Sequence, residues 1–151
     1  MASESTLFDD YGAYHRDRRN LICHEIGIPL IVLGILALLR QVHIHVPNVD
    51  VTLAGIAILA AFVYYLSLGP AVRTAAYVAL AGMAALYLIA IYLTWPLALA
   101  AFVVGWIFQF VGHKYEGKAP AFLTNVLHLL VGPLWVASHL VPASASSSSA
   151  R

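Results

Sequence analysis

From Ile26 to Val141 apolar residues run in long stretches, broken only by short polar or turn-forming punctuation. The first stretch is IGIPLIVLGILALLR, ending at Arg40, and a short polar loop, QVHIHVPNVD, follows it. The second runs from about Val51 to Leu68 and is closed by Gly69-Pro70, a turn signal. The third runs from about Ala71 to Thr94 and is closed by Trp95-Pro96, with Tyr92 and Trp95 suited to a membrane interface. The fourth covers about residues 97–112 and the fifth about Ala119 to Val141. About 20 apolar residues cross a hydrocarbon core, so the third is long enough and the first and fourth are short. No stretch alternates strictly between polar and apolar, which argues against a transmembrane barrel, and helices satisfy their backbone groups in lipid. The expected fold is therefore all-α: a multi-pass transmembrane helical bundle of about five apolar segments, some of which could be re-entrant. Residues 1–25 read as a polar N-terminal segment carrying His15 and His24, residues 26–141 as the membrane helical domain, and residues 142–151 as a disordered low-complexity tail. Ala79, Ala81, Gly82, Ala84 and Ala85 favour close helix packing in the third segment.

Composition sharpens this reading. Of the 151 residues, 62% are hydrophobic and 10% charged, against about 45–50% and about 25% in an ordinary soluble domain. The net charge of +1 leaves no basic face for a nucleic-acid partner. A single cysteine, Cys23, excludes an internal disulfide and an all-Cys metal site. The first 25 residues lack the basic head and apolar run of a secretory signal, so the apolar segments are expected to direct the chain to its membrane. A bacterial inner membrane and the endoplasmic reticulum fit equally well.

Between Gln41 and Gly112 the only formal charges are Asp50 and Arg73. The polar residues gather instead in two clusters beside apolar segments. One holds Tyr11, His15, Asn20 and His24; the other holds Gln109, His113 and Glu116, with His128 further along. Intramembrane ionisable residues are costly unless something uses them. With a cytoplasmic N-terminus, Arg16, Arg18, Arg19, Arg73, Lys114 and Lys118 lie inside and Arg40 and Arg151 outside, six against two, which obeys the positive-inside rule. Five spans then place His15, His24 and His113 at one membrane face, with His128 about two turns into the fifth segment and able to point toward them. His43, His45 and His139 fall at the opposite face.

Asn20 and His24 are four apart and share a helical face, as do His113 and Glu116, three apart. His15 and His24 are nine apart, so they converge only if the helix breaks between them, and RDRRN is a plausible break. Histidine nitrogens with a carboxylate suit iron, zinc or another borderline metal, with Glu116 as ligand or as orienter of a ligand. Gln109 lies inside a span and needs a partner. Tyr11 and Tyr14 could donate to a bound oxygen or anchor the interface. Arg16, Arg18 and Arg19 read as headgroup contacts, and His43 and His45 as loop residues. The residues alone leave three classes open: a metal-dependent membrane enzyme, a small transporter or channel, and a scaffold with structural zinc.

Together these residues resemble a known family. The pattern Y-x-x-x-H-x-x-x-x-N-x-x-x-H-x-x-G-x-P runs through Tyr11, His15, Asn20, His24, Gly27 and Pro29. The pattern Q-F-x-G-H, then E, then P-A, runs through Gln109, Phe110, Gly112, His113, Glu116, Pro120 and Ala121. Both halves, in this order on a small multi-span chain, resemble the yeast-type 2-hydroxy fatty acid dioxygenases, long catalogued as a domain of unknown function. The resemblance covers about residues 7–140. It implies an Fe(II)-dependent multi-pass membrane enzyme that shortens a 2-hydroxy fatty acid by one carbon with O₂, in yeast at the endoplasmic reticulum during phytosphingosine breakdown. The family's histidines carry over onto His15, His24 and His113; at the place of His128 the yeast type has Gln, and its spacing from the third histidine to the glutamate is one residue longer. The expected site is then His15, His24, His113 and His128 around the iron, with Glu116, Asn20 and Tyr11 as catalytic groups, near the cytoplasmic face. The expected partners are the 2-hydroxy fatty acid, O₂ and the lipid bilayer.

Overall fold

The computed structural model describes residues 17–117 and 128–141. Among these, five α-helices and one hairpin follow in the order α1 (Arg18–Leu39), β1 (His43–Val46), β2 (Val49–Thr52), α2 (Leu53–Ser67), α3 (Arg73–Ala90), α4 (Trp95–Glu116) and α5 (His128–His139). The helical bundle expected from the apolar stretches is the observed architecture.

The boundaries differ from the apolar runs in informative ways. α1 begins at Arg18, well before Ile26, because Asp17 is extended (φ -76°, ψ 126°) and its carboxylate accepts the Arg19 backbone N–H at 2.8 Å. The first segment is therefore a 22-residue helix, about 33 Å long, and is not short for a span. The polar-to-apolar change at residue 25 falls inside it. Trp95 and Pro96, read as the end of the third segment, instead open α4, where proline's missing N–H costs nothing. α4 also has 22 residues and ends at Gly117, left-handed at φ 69°. Arg18–Leu39, Pro70–Ala90 and Trp95–Glu116 are long and apolar enough to cross a membrane, by length and composition. α2, with 15 residues, and the described part of the fifth segment are shorter apolar helices. Leu59, Val63, Leu88 and Ile107 face outward from these helices and are exposed, an arrangement compatible with lipid contact.

The stretch read as a polar loop after α1 is a hairpin. β1 and β2 pair antiparallel with His43 opposite Thr52 and His45 opposite Asp50, turned by Pro47 and by Asn48 at φ 69°, a conformation asparagine tolerates. His43 and His45 are thus strand residues. Their Nδ1 atoms lie 2.9 and 3.0 Å from the two oxygens of Asp50, whose carboxyl is held below its ordinary value chiefly by the hydrogen bond from His43.

Helix directions follow from the core. Leu36 and Ala37 near the end of α1 and Ala90 at the end of α3 pack with Ala54 and Ala98 near the starts of α2 and α4. α1 and α3 therefore run one way, α2 and α4 the other. At the opposite end Tyr65 is fully buried and its hydroxyl donates to the Leu130 carbonyl at 2.8 Å, fixing the end of α2 to the start of α5. Tyr65→Phe leaves that arrangement intact and removes one buried hydrogen bond, so stability falls by about 1 kcal/mol, a melting shift of about 2–4 °C for a chain of this size, read by a thermal melt in detergent. Of the small residues expected to pack on α3, Ala79 is buried, whereas Ala81, Gly82, Ala84 and Ala85 are exposed. The closest helix contact is elsewhere, between α1 and α4. Gly27 and Gly34 face Gly105, Ala98 and Phe102 so closely that a Cβ on Gly34 would lie 2.7 Å from the Ala98 carbonyl oxygen, and one on Gly105 2.8 Å from that of Gly27.

Candidate metal centre

The antiparallel seam of α1 on α4 decides which polar residues meet. His24 lies two turns into α1 and His113 in the last turn of α4. Their rings are 4.8 Å apart between centroids and nearly perpendicular, at 85°. Both are buried, with 1% and 6% of their surface exposed. The His24 Nδ1 stands 3.0 Å from the Asn20 backbone carbonyl, which can only accept. The proton therefore sits on Nδ1, and Nε2 carries the lone pair, the state a metal ligand needs. A metal–nitrogen bond of about 2.1 Å puts a ring centre about 3 Å from an ion, so two neighbouring imidazole ligands have centres about 4.5–5 Å apart. The separation of His24 and His113 fits that requirement.

Asn20 and Glu116 tie the two helix ends together around this pair. Asn20 is fully buried one turn before His24, flat against Gly112, where a Cβ would come 2.5 Å from its Oδ1. Its Nδ2 donates to Glu116 Oε2 at 3.1 Å, and the Asp17 backbone N–H donates to the same oxygen at 2.8 Å. The Glu116 carboxylate thus sits at the positive end of α1. Arg19 closes the edge, its guanidinium 4.4 Å above the Tyr115 ring and 2.9 Å from Asp17, whose carboxyl it holds below the usual range. Glu116→Gln removes the charge on which two donors converge. It is expected to lower stability by about 1–2 kcal/mol and to weaken metal binding about 10–100-fold, measured by melting and by metal titration; unchanged metal affinity would confine Glu116 to bracing the helix ends.

Gln109 lies one turn before His113, 6% exposed, with its amide nitrogen against Gly27. That nitrogen has no hydrogen-bond partner among the described residues. A buried donor without an acceptor costs about 1–3 kcal/mol, so this amide is a ready donor for a bound oxygen. Of the other expected site residues, Tyr11 and His15 lie outside the described residues. His128 is the first residue of α5, and its side chain lies outside them too. His43 and His45 stand at the other end of the bundle, as the topology predicts; His139 instead belongs to a helix whose Leu134 and Ala137 pack with Tyr65 and Ala76, and its ring lies on Trp135 with centres 4.2 Å apart. Among the described residues no group of three or more His, Cys, Asp or Glu is placed to hold a metal, so the described site is a two-imidazole half of the expected set. The seam glycines were not anticipated, although Gly27 and Gly34, like Gly105 and Gly112, are seven residues apart.

A family model described as "2-hydroxy-palmitic acid dioxygenase Mpo1-like" matches residues 1–143. The 2-hydroxy-palmitic acid dioxygenase MPO1 of Saccharomyces cerevisiae is 33% identical over 122 residues, which cover 80% of this chain and 69% of the yeast protein. No solved structure matches. With nearly its whole length matched, and with the paired histidines at the seam of α1 and α4, the chain belongs to the Mpo1-like family of 2-hydroxy-palmitic acid dioxygenases.

Proposed function

We propose that this chain is an Fe(II)-dependent dioxygenase that shortens 2-hydroxy fatty acids by one carbon with O₂, working as a multi-pass protein of a bacterial inner membrane or the endoplasmic reticulum with its site near the cytoplasmic face. The observation that carries the reading is the buried His24–His113 pair, at ligand spacing and with the His24 tautomer set by Asn20. His24 and His113 would hold the iron, completed by His15 and His128. When bound, iron supplies the one-electron and oxygen chemistry that no side chain here offers.

The protein's own part is positioning. Neutral imidazoles leave a cation's charge uncompensated, which favours an anionic, chelating substrate such as a 2-hydroxy carboxylate. The Gln109 amide donates to a substrate oxygen, and Asn20 and Glu116 hold the His24-bearing turn against α4. Tyr11 supplies a further donor. The burial of Asn20, His24, Gln109 and His113 keeps water from the reacting groups. Elemental analysis of anaerobically purified full-length protein, followed by oxygen consumption with 2-hydroxypalmitate, tests the proposal. Iron near one equivalent and substrate-dependent oxygen uptake are expected; zinc with no oxygen uptake would replace the enzyme with a zinc-stabilised scaffold.

A further inference from the structure

A crevice of about 260 Å³ opens between α1, α3 and α5, and every residue lining it is apolar. Ile28 and Val32 form its α1 wall, Val78 and Gly82 belong to its α3 wall, and Val136 and Leu140 to its α5 wall. Ile28 is one helical turn beyond His24 and Val32 one turn further, on a single i, i+4 row. The α1 wall of the crevice therefore begins one helical turn from the buried imidazole. At 1.5 Å per residue Val32 lies about 12 Å along the axis from His24, and an extended chain advances about 1.2 Å per bond, so roughly ten carbons span that length. Gly82 is the opening in the wall. A Cβ built on it meets nothing within 4 Å, and Gly82 and Ala85 are both exposed at the side of the bundle. An acid dissolved in a bilayer could enter there sideways.

We propose that this crevice holds the acyl chain of the acid whose head group lies at His24 and His113, and that Gly82 sets the length of chain accepted. The inference rests on the function proposed above and adds to it the place of the tail. A bilayer phospholipid is the competing occupant. An apolar slot leading away from a polar, buried head-group site matches a molecule with one ionic end and one long saturated end. Each methylene kept out of an apolar slot forfeits about 0.8 kcal/mol, close to a fourfold loss in affinity.

The test compares wild type with Gly82→Trp, and with Ala85→Phe in case the first does not fold, in nanodiscs of one lipid composition. The kcat/KM for oxygen uptake is read across 2-hydroxy acids of eight to sixteen carbons, so that partition into lipid cancels between proteins. The variant is expected to lose about tenfold or more on the sixteen-carbon acid while keeping the eight-carbon acid within about twofold. A loss equal at all lengths, or none, overturns the crevice as the tail site, including the case in which only co-purifying phospholipid changes. A sixteen-carbon 2-hydroxy acid bearing a diazirine at its far end gives a readout independent of turnover. Under anaerobic conditions it should label peptides covering residues 78–86 and 133–140 in the wild type and lose that labelling in Gly82→Trp. Wild-type labelling without oxygen uptake sinks the enzymatic reading alone; uptake with labelling elsewhere sinks the crevice alone; neither uptake nor labelling sinks both.

Discussion

Alanine in place of His24 or of His113 is expected to lower the proposed iron binding and oxygen uptake together, each by about 100-fold or more, while the bundle stays folded. The two rings are buried and face each other at 4.8 Å, so each truncation deletes one of two neighbouring donors and leaves the partner facing a hole. Losing a group that only orients a ligand costs about 10–100-fold in metal affinity, and losing the ligand itself costs more. The fold should survive because the two clusters that fix helix directions, Leu36, Ala37, Ala90 and Ala98 at one end and Tyr65, Ala76 and Leu134 at the other, are built from apolar residues and include neither ring. The useful contrast is Asn20→Ala. It deletes the side-chain bond to Glu116 but keeps the backbone carbonyl that fixes the His24 tautomer, so it should weaken iron binding without abolishing it. Metal content by elemental analysis beside a melting curve separates these cases. Wild-type iron and turnover in His113→Ala would remove the metal centre from the seam.

The convergence of His24 and His113 was legible before any coordinates because it depends only on counting crossings. Helices that alternate in direction bring the start of the first and the end of the fourth to one end, whatever their exact bounds. The bounds themselves were not legible from hydropathy. The first turns of α1, Arg18 to Glu25, mix exposed charges (Arg18, Arg19, Glu25) with Asn20 and His24, which are buried toward the site, so a rule that looks for lipid-facing character passes over them. The hairpin was hidden for a different reason. Its strands have four residues each, and the polar partners that clasp it, His43, His45 and Asp50, look like loop composition. The role of Glu116 was read from its spacing to His113 alone. Its partners, the Asp17 N–H and the Asn20 amide, come from the far end of the chain, and no spacing rule within one segment reports them. The seam glycines needed two segments compared with each other: a seven-residue glycine step in one means little, and in two facing helices it means a common line of contact.

That line of contact gives one substitution two opposite outcomes. Gly105→Ala places a methyl group 2.8 Å from both the Gly27 carbonyl oxygen and the Ile31 backbone nitrogen. These are main-chain atoms within a helix, so neither can rotate away, and α1 must move off α4. Overpacking a well-fitted contact costs about 1–3 kcal/mol when side chains can adjust, and here they cannot, so a loss of about 3 kcal/mol or more is expected. The displacement also carries His24 away from His113, so iron affinity falls although no polar residue has changed. Gly82→Ala is the same chemical change on α3, where the added methyl group meets nothing within 4 Å. There only the backbone term remains, and alanine in a helix is favoured over glycine by about 0.5–1 kcal/mol. One protein should lose stability and metal and the other should gain a little stability and keep its metal, read by thermal melting and iron titration on the same preparations. If Gly105→Ala melts with the wild type and binds iron as well, the seam is softer than its distances imply, and the spacing of the two imidazoles is set by something other than the contact of α1 with α4.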